Sequence, residues 1–335
     1  MNTKQLMQVA QAMVADGKGI LAADESIGTI EKRFTKINVE NSLENRRAYR
    51  ELLFTSVGIG DHISGAILFD ETLRDSASDG RTFMTILKKS GVLPGIKVDQ
   101  GTKDMDTSTG EKVTKGLEGL SKRLEEYGKL GAKFAKWRAV ITIGNGTPSD
   151  ANIRQNAKDL AVYAHVCQEN GIVPMVEPEV LMDGEHSMKA CEDASYRTLV
   201  AVFEELDKES VALEGMILKT NMVIPAKESG EKASPEKIAN GTLALFKKVL
   251  PHRLPGQTFL SGGQSEIEAT ENLNAMNQTK NPWKLSFSYG RALQDSALKA
   301  WRGKNENIPS AQKAFLHRAK MNGLAAMGRY KGESA

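Results

Sequence analysis

Three lysines lie in or at the end of short apolar runs of the sequence: Lys97, Lys136 and Lys219. Acidic residues, among them Asp24 and Glu177, follow other runs of the same kind. A buried lysine is costly unless it is paired, so several lysines facing carboxylates indicate reactive groups. Imine formation with a ketone or aldehyde uses such a set, because a second cation and desolvation both favour the neutral amine that attacks. We therefore predict Lys219 as the nucleophile, Lys136 as the neighbouring charge and Glu177 as the proton shuttle.

Two glycine-containing clusters near the C-terminal end of the chain predict a phosphate site. Ser261, Gly262 and Gly263 offer a hydroxyl and backbone N–H groups that a ligand can approach closely. Gly290 and Arg291 add an amide and a fork-shaped cation that suits a phosphate group. A second anionic group is expected elsewhere in the same site. The candidates that would meet it are Ser26, Thr29, Lys32 and Arg33, or alternatively Lys97 and Arg138.

The elements that would position these residues recur along the chain. Eight short, β-favouring apolar runs are each associated with a charged or glycine-rich cluster, and helix-like stretches lie between them. The predicted strands are residues 19–23, 65–69, 94–98, 132–140, 172–176, 215–218, 258–260 and 285–287. This repeat predicts a (β/α)8 TIM barrel, an α/β fold in which the C-terminal strand ends meet at one mouth. An open doubly wound sheet is the alternative, but reactive residues at nearly every strand end favour closure.

Helical signals fill the spaces between these strands. Ser149 is placed to cap a helix that runs through residues 153–167, and Ser265 with Glu268 forms a capping-box pattern. Further helices are predicted over residues 41–57 and 117–127, and additional ones in the flanking stretches 1–18 and 305–335. Length alone would suggest two domains, at roughly 150 residues each. Because no linker divides the chain, we predict a single barrel domain over residues 1–335.

Composition excludes several classes of function. The chain has 45 basic and 42 acidic residues, a net charge of +3, which argues against a nucleic-acid or membrane-surface binder. The sequence has neither an apolar run of the roughly 18 residues that a membrane span needs nor a signal-peptide core, so a cytoplasmic protein is expected. The 5 histidines and 2 cysteines show no metal-ligand spacing, and no dinucleotide fingerprint is present.

The motifs at the predicted strand ends, taken together, resemble class I fructose-bisphosphate aldolase. The similarity runs in order from about residue 17 to residue 330. It is carried by Leu21-Ala22-Ala23-Asp24-Glu25-Ser26, Gly95-Ile96-Lys97-Val98-Asp99, Phe134-Ala135-Lys136-Trp137-Arg138, Val176-Glu177-Pro178-Glu179, Leu218-Lys219-Thr220-Asn221-Met222-Val223, Phe259-Leu260-Ser261-Gly262-Gly263-Gln264-Ser265 and Ser288-Tyr289-Gly290-Arg291-Ala292-Leu293-Gln294.

The resemblance implies reversible, metal-independent cleavage of fructose 1,6-bisphosphate to dihydroxyacetone phosphate and glyceraldehyde 3-phosphate, without a cofactor. It implies that Lys219 is the Schiff-base lysine and Glu177 the acid and base, with Asp24, Lys136 and Glu179 assisting proton transfer. Lys97 and Arg138 would bind substrate oxygens or the distal phosphate, and Arg33 and Arg46 match family arginines at that end. The phosphate nearest the ketone would meet Ser261, Gly262, Gly263, Ser288, Gly290 and Arg291.

The family also implies glycolysis or gluconeogenesis and a homotetramer. Animal members carry a longer tail that ends in a tyrosine, whereas Tyr330 matches an upstream family tyrosine, so the sequence looks like a bacterial version. The proton donor at the enamine step is therefore left open.

Two alternatives belong to other classes of function. A catalytically inactive sugar-phosphate sensor or scaffold would share the binding residues. A barrel glycoside hydrolase would use two carboxylates, but such a pair normally comes from separate strands, whereas Glu177 and Glu179 are neighbours on one. That reading also leaves the lysines unexplained.

Overall fold

The computed structural model describes residues 3–105 and 109–334. Eight parallel strands close into a barrel, and each pairs with its neighbours in chain order. They are β1 (Gly19–Ala23), β2 (Ile63–Leu68), β3 (Leu93–Lys97), β6 (Phe134–Ile141), β7 (Val173–Val180), β8 (Ile217–Thr220), β9 (Gly256–Phe259) and β10 (Lys284–Tyr289). The predicted closed (β/α)8 barrel is confirmed, and the open sheet is not. An antiparallel hairpin of β4 (Thr102–Asp104) and β5 (Lys112–Thr114) follows β3. This hairpin is not among the predicted elements.

Helices surround the barrel, and further helices precede its first strand and follow its last strand in the sequence. They are α1 (Thr3–Met13), α2 (Ile27–Thr35), α3 (Leu43–Phe54), α4 (Ile59–His62), α5 (Asp70–Arg74), α6 (Phe83–Lys89), α7 (Leu120–Leu130), α8 (Asp150–Glu169), α9 (Met188–Lys208), α10 (Pro235–Val249), α11 (Glu266–Asn277), α12 (Arg291–Trp301) and α13 (Ile308–Ala325). Helices α1 and α13 are the predicted terminal additions. Met1, Asn2 and Ala335, which the predicted flanks and domain include, lie outside the described residues.

Inward-facing side chains change from apolar to charged along the barrel axis. The apolar ones form a cluster with Leu6, Ala10 and Met13 of α1, which therefore closes the N-terminal end of the barrel. Because side chains alternate across a strand, residues two positions further along point into the same interior. Apolar and charged residues succeed each other in this way at Phe134 and Lys136, at Met175 and Glu177, and at Ile217 and Lys219. The reactive groups thus stand on a floor of packed apolar side chains.

Several predicted strand ends were wrong, most clearly for β7. The predicted strand ends at Val176, whereas the observed strand continues to Val180 and pairs with β6 along its whole length. Glu177 and Glu179 therefore lie within the strand rather than in the loop that follows it. In the sequence, Glu177 and Glu179 look like the end of a strand, because the sequence does not show which cations pair with them.

Helix ends followed their capping residues. The side chains of Ser149 and Ser265 accept hydrogen bonds at the N-termini of α8 and α11, and the predicted capping box is present. Helix α3 begins at Leu43 rather than at residue 41, because Ser42 is its N-cap, and it ends at Phe54 rather than at residue 57. Helix α7 begins after Gly119, whose φ of +65° interrupts helical geometry, so Leu117 precedes the helix.

Candidate active site

A cavity of about 470 Å³ occupies the mouth of the barrel, at the C-terminal ends of the strands. It gathers nearly all the predicted site residues, which come from both halves of the chain. Those that line it are Asp24, Ser26, Thr29, Arg33, Lys97, Lys136, Arg138, Glu177, Glu179, Lys219, Ser261, Gly262, Ser288, Gly290 and Arg291. Residues more than 250 positions apart in sequence thus line one cavity.

The centre of the cavity is a chain of buried ion pairs. Lys219 Nζ lies 3.0 Å from Glu177 Oε1. The other oxygen of the same carboxylate, Oε2, lies 3.4 Å from Lys136 Nζ, which in turn lies 2.7 Å from Asp24 Oδ2. Lys136, Glu177 and Lys219 are each less than 5% exposed. The two lysines are therefore joined through one carboxylate in a site that largely excludes water.

The charge states at this centre are held by mutual pairing. Burial alone would raise the pKa of Asp24, but the charges of Lys136 and Lys219 hold that pKa well below its usual value. Burial alone would lower the pKa of Lys136, yet the charges of Asp24 and Glu177 raise it above its usual value. At neutral pH, Lys136 is therefore a fixed ammonium and Asp24 a fixed carboxylate.

Further ion pairs hold two other cations at the cavity, Arg138 and Lys97. Arg138 donates from Nε to Glu179, and Lys97 donates to the carboxylate of Asp99. Burial alone would lower the pKa of Arg138, but the charge of Glu179 and its hydrogen bond raise it. The guanidinium therefore remains charged next to the open part of the cavity.

Arg33 is held by a buried acidic residue to which the sequence analysis assigned no role. The Glu25 carboxylate pairs with both Arg33 and Arg50, and it also accepts a hydrogen bond from Gln294 Nε2 at 3.2 Å. Gln294 is anchored in turn by donating to the Ala22 carbonyl at 2.8 Å. No spacing in the sequence indicates this network, because its members come from β1, α2, α3 and α12.

The phosphate-binding features predicted after β9 and β10 lie on one side of the cavity. Gly262 and Gly263 adopt φ angles of +53° and +84°, in the left-handed region that glycine reaches without strain. Gly290 and Arg291 stand at the N-terminus of α12, where the helix dipole also favours negative charge. Ser288 Oγ is buried and has no hydrogen-bond partner within the described residues.

Two predicted site residues lie away from this cavity. Gly263 lines a neighbouring cleft, in which the side chain of Lys227 packs against it. Arg46 makes a bidentate contact with Glu71 at 2.7–2.8 Å and donates to Asn41, and it does not line the mouth. Substrate binding by these two residues stays a prediction.

Lys36 is a cavity-lining cation that the sequence analysis did not single out. It lies at the C-terminal end of α2 on the face that carries Thr29, Lys32 and Arg33. The spacing of three or four residues from Thr29 through Lys32 or Arg33 to Lys36 places Lys36 on the same helix face, and this spacing could have predicted it from the sequence. Among the described lining residues, eight side chains are cationic and four are acidic, an excess of four positive charges.

The described residues contain no group of three or more His, Cys, Asp or Glu side chains placed to hold a metal ion. In the same part of the chain, no helix is both long enough and apolar enough to span a membrane.

Comparison with known proteins places this chain in a family. A family model described as "Fructose-bisphosphate aldolase class-I" matches residues 5–335. The chain belongs to the class I fructose-bisphosphate aldolase family. It is an aldolase, a lyase of the metal-independent class, and the predicted family and enzyme class are confirmed. The sensor and glycoside hydrolase alternatives are not favoured.

Individual aldolases agree with this assignment along nearly the whole chain. "Fructose-bisphosphate aldolase 4, cytosolic" of Arabidopsis thaliana is 54% identical over 334 residues, covering 99% of this chain and 85% of the relative. "Probable fructose-bisphosphate aldolase class 1" of Xylella fastidiosa is 53% identical, covering 99% and 100%. The aldolase from Plasmodium falciparum, solved in complex with TRAP and a small-molecule inhibitor, has a TM-score of 0.97 at 47% identity, covering 98% of this chain and 96% of that one.

Replacing Lys136 with Met would leave Asp24 and Glu177 buried without this cation. We expect the K136M aldolase to lose about 3–5 kcal/mol of unfolding free energy at pH 7, measured by urea denaturation. In the wild type, the lowered pKa of Asp24 stabilises the fold at pH values above about 3.9, the ordinary pKa of an aspartate. This stabilisation is lost as the pH falls below that value. In K136M, burial would raise that pKa and protonation would relieve the penalty. The difference in free energy of unfolding between the wild type and K136M should therefore become smaller below about pH 5.

Lys189→Met is the matched control for this prediction. Lys189 pairs with Glu192 and Asp193 on an exposed face of α9, where ion pairs contribute little. Equal destabilisation of the two variants would contradict the proposed importance of burial. If the loss of unfolding free energy in K136M does not change with pH, the assigned charge of Asp24 is wrong.

Proposed function

We propose that Lys219 carries the family's reaction, the reversible cleavage of fructose 1,6-bisphosphate to dihydroxyacetone phosphate and glyceraldehyde 3-phosphate, through a Schiff base. The observation that supports this most directly is the 3.0 Å contact between Lys219 Nζ and Glu177 Oε1 at the floor of the mouth. A nucleophile within hydrogen-bond distance of its base is the arrangement that covalent catalysis requires. The neighbouring Lys136 ammonium supplies a permanent positive charge.

Glu177 acts as the acid and base for the steps at Lys219. The Glu177 carboxylate first takes one proton from the Lys219 ammonium with which it is paired. As the resulting amine adds to the ketone carbon C2, a second proton of the nitrogen passes to the C2 oxygen and makes it a hydroxyl. Glu177 then gives its proton to this hydroxyl, which leaves as water when the protonated imine forms. The protonated imine then accepts the electron pair of the C3–C4 bond. The C4 hydroxyl passes its proton to Glu177 as the aldehyde product forms, and an enamine remains on Lys219.

Asp24, Lys136 and Glu179 maintain the charge pattern around this chemistry. Asp24 and Glu177 hold the Lys136 ammonium in place, and that cation lies where the substrate hydroxyls must approach Lys219. Glu179 holds Arg138 at the edge of the same space. Charges fixed before substrate arrives cost little reorganisation during the reaction, which is the usual source of electrostatic catalysis.

The two phosphate groups bind at opposite sides of the mouth. The one nearest the ketone meets the Ser261 to Gly263 turn, Ser288 and the N-terminus of α12 at Gly290 and Arg291. The distal phosphate meets cations from the other wall, for which the candidates are Ser26, Thr29, Arg33, Lys97 and Arg138, with Arg46 further out. Each phosphate carries about −1.5 to −2 charges at pH 7, so a bisphosphate balances the positive excess of the cavity.

We further propose that residues 1–335 act as one barrel domain in a cytoplasmic homotetramer that serves glycolysis or gluconeogenesis. The relatives described as cytosolic support the compartment, and the family resemblance supports the tetramer. Light scattering on the purified enzyme measures the mass directly, and a mass of one 36.5 kDa chain would overturn the tetramer.

Borohydride trapping tests the assignment of Lys219. We expect dihydroxyacetone phosphate with borohydride to inactivate the wild-type enzyme irreversibly and to label the peptide containing Lys219, with or without a chelator. The K219M variant should remain unlabelled and lose activity by at least about 10⁴-fold, since the nucleophile is removed. Lys208→Met, which removes an exposed lysine of α9, is the control and should react like the wild type. Loss of wild-type activity with EDTA, together with no label, would reject the proposal.

Ser288→Ala tests the phosphate site nearest the ketone. The Ser288 hydroxyl is buried without a partner among the described residues, so it is free to bind a substrate phosphate. A hydrogen bond to a charged group contributes about 1.5–3 kcal/mol, and we therefore expect KM to rise roughly tenfold or more. Ser286→Ala is the matched control on the same strand, because Ser286 already donates to the Lys18 carbonyl. Equal KM changes in both variants would remove Ser288 from the site.

A further inference from the structure

Within the described part of the chain, the backbone pairing between β7 and β8 ends just before the proposed reactive residues. Strand β7 pairs with β8 at Met175–Ile217 and at Val176–Leu218, and among the described residues the pairing ends there. On their outer sides both strands remain held, β7 by β6 as far as Val180 and β8 by β9 as far as Thr220. Glu177 and Lys219 are the next residues beyond the last pair. The amine and its carboxylate thus face each other across a seam between two strands.

The side chain of Asn221 bridges this seam. Its Oδ1 accepts a hydrogen bond at 3.0 Å from the backbone N–H of Val180, at the far end of β7. Its Nδ2 donates to Ser195 Oγ of α9 at 3.1 Å and to the carbonyl of Met222 at 3.1 Å. Asn221 is only 5% exposed, so these bonds form away from water. One amide therefore joins the end of β7, the end of β8 and the helix behind them.

We propose that Asn221 is a positioning residue that sets the separation between Lys219 Nζ and Glu177. Its side chain takes the place of the ladder hydrogen bonds that the two strands do not make above Val176 and Leu218. Asn221 is two residues from Lys219, and Val180 is three residues from Glu177, so a change in this link moves both groups. A misplacement of about 1 Å can reduce the rate of a positioned reaction about 100-fold.

This inference rests on the proposed roles of Lys219 and Glu177. It adds that Asn221 holds these two side chains at their observed separation. If Asn221 only stabilised the fold, its loss would lower the melting temperature without changing the reactivity of the folded enzyme. If it positions the pair, its loss must slow imine formation and change the pH dependence of kcat. The phosphate ligands on β9, β10 and α2 are held independently, so KM should change much less than kcat.

The test compares Asn221→Leu with a matched variant elsewhere in the fold. Asn152 of α8 is also buried, and its Nδ2 donates to the Lys112 carbonyl at 2.8 Å, so Asn152→Leu breaks a similar buried amide contact away from the seam. For each folded variant, imine formation with dihydroxyacetone phosphate is followed by rapid borohydride quenching. The melting temperature, KM and the pH profile of kcat are measured alongside.

We expect N221L to form the imine about 10- to 100-fold more slowly, with a shifted pH profile and KM within about threefold of the wild type. N152L should lose thermal stability but form the imine at the wild-type rate. If N221L does not fold, Asn221→Ser decides by the same criterion, because its hydroxyl is too short to reach the Val180 N–H. A wild-type imine rate in the Asn221 variant, or an equal slowing in N152L, would overturn the inference.

Mass spectrometry separates failure of this inference from failure of the proposed function. If the wild-type label lies on a residue other than Lys219, the Schiff-base assignment itself is wrong. If the label lies on Lys219 and the Asn221 variants still react normally, only the positioning role fails.

Discussion

The rest of this structure depends on the need to pair charges that are buried in the barrel. Lys136, Glu177 and Lys219 are almost inaccessible to water, and an unpaired ion in such a place would cost several kcal/mol. The chain meets this need by giving each charge a partner from another part of the barrel wall: Asp24, just after β1, and Glu177 for Lys136, and Glu177 for Lys219. Each strand must therefore keep its register, since a shift of one residue would turn its charged side chains out of the interior.

The alternation of side chains along each strand lets one barrel provide both a stable apolar core and a reactive site. Its lower half is an apolar core that α1 closes, and this packing gives the site a rigid floor. Its upper half carries the reactive groups on the same strands, only two residues further along. Stability and chemistry are thus separated along the axis of the barrel. In this arrangement the seam between β7 and β8 stands out, because the Asn221 side chain spans it beyond the last paired residues.

Electrostatics links the barrel to its substrate. The whole chain has a net charge of only +3, yet the mouth alone holds an excess of four positive charges. The remaining 37 basic and 38 acidic residues of the chain nearly cancel, so the mouth accounts for the net positive charge. A near-neutral protein of this kind avoids non-specific attachment to polyanions while it still offers a strongly cationic pocket to a small, highly charged sugar.

The sequence by itself determined the repeat of strands and helices, the identity of the reactive side chains and the caps of α8 and α11, because these depend on local pattern and residue type. The family motifs then indicated the chemistry of Lys219. Only the tertiary structure decided that Glu25 and Arg50 hold Arg33, that Arg46 turns to Glu71 instead of the mouth, and that β7 runs on through Glu177 to Val180. Each of these depends on partners from distant parts of the chain, and barrel closure is what brings those partners together.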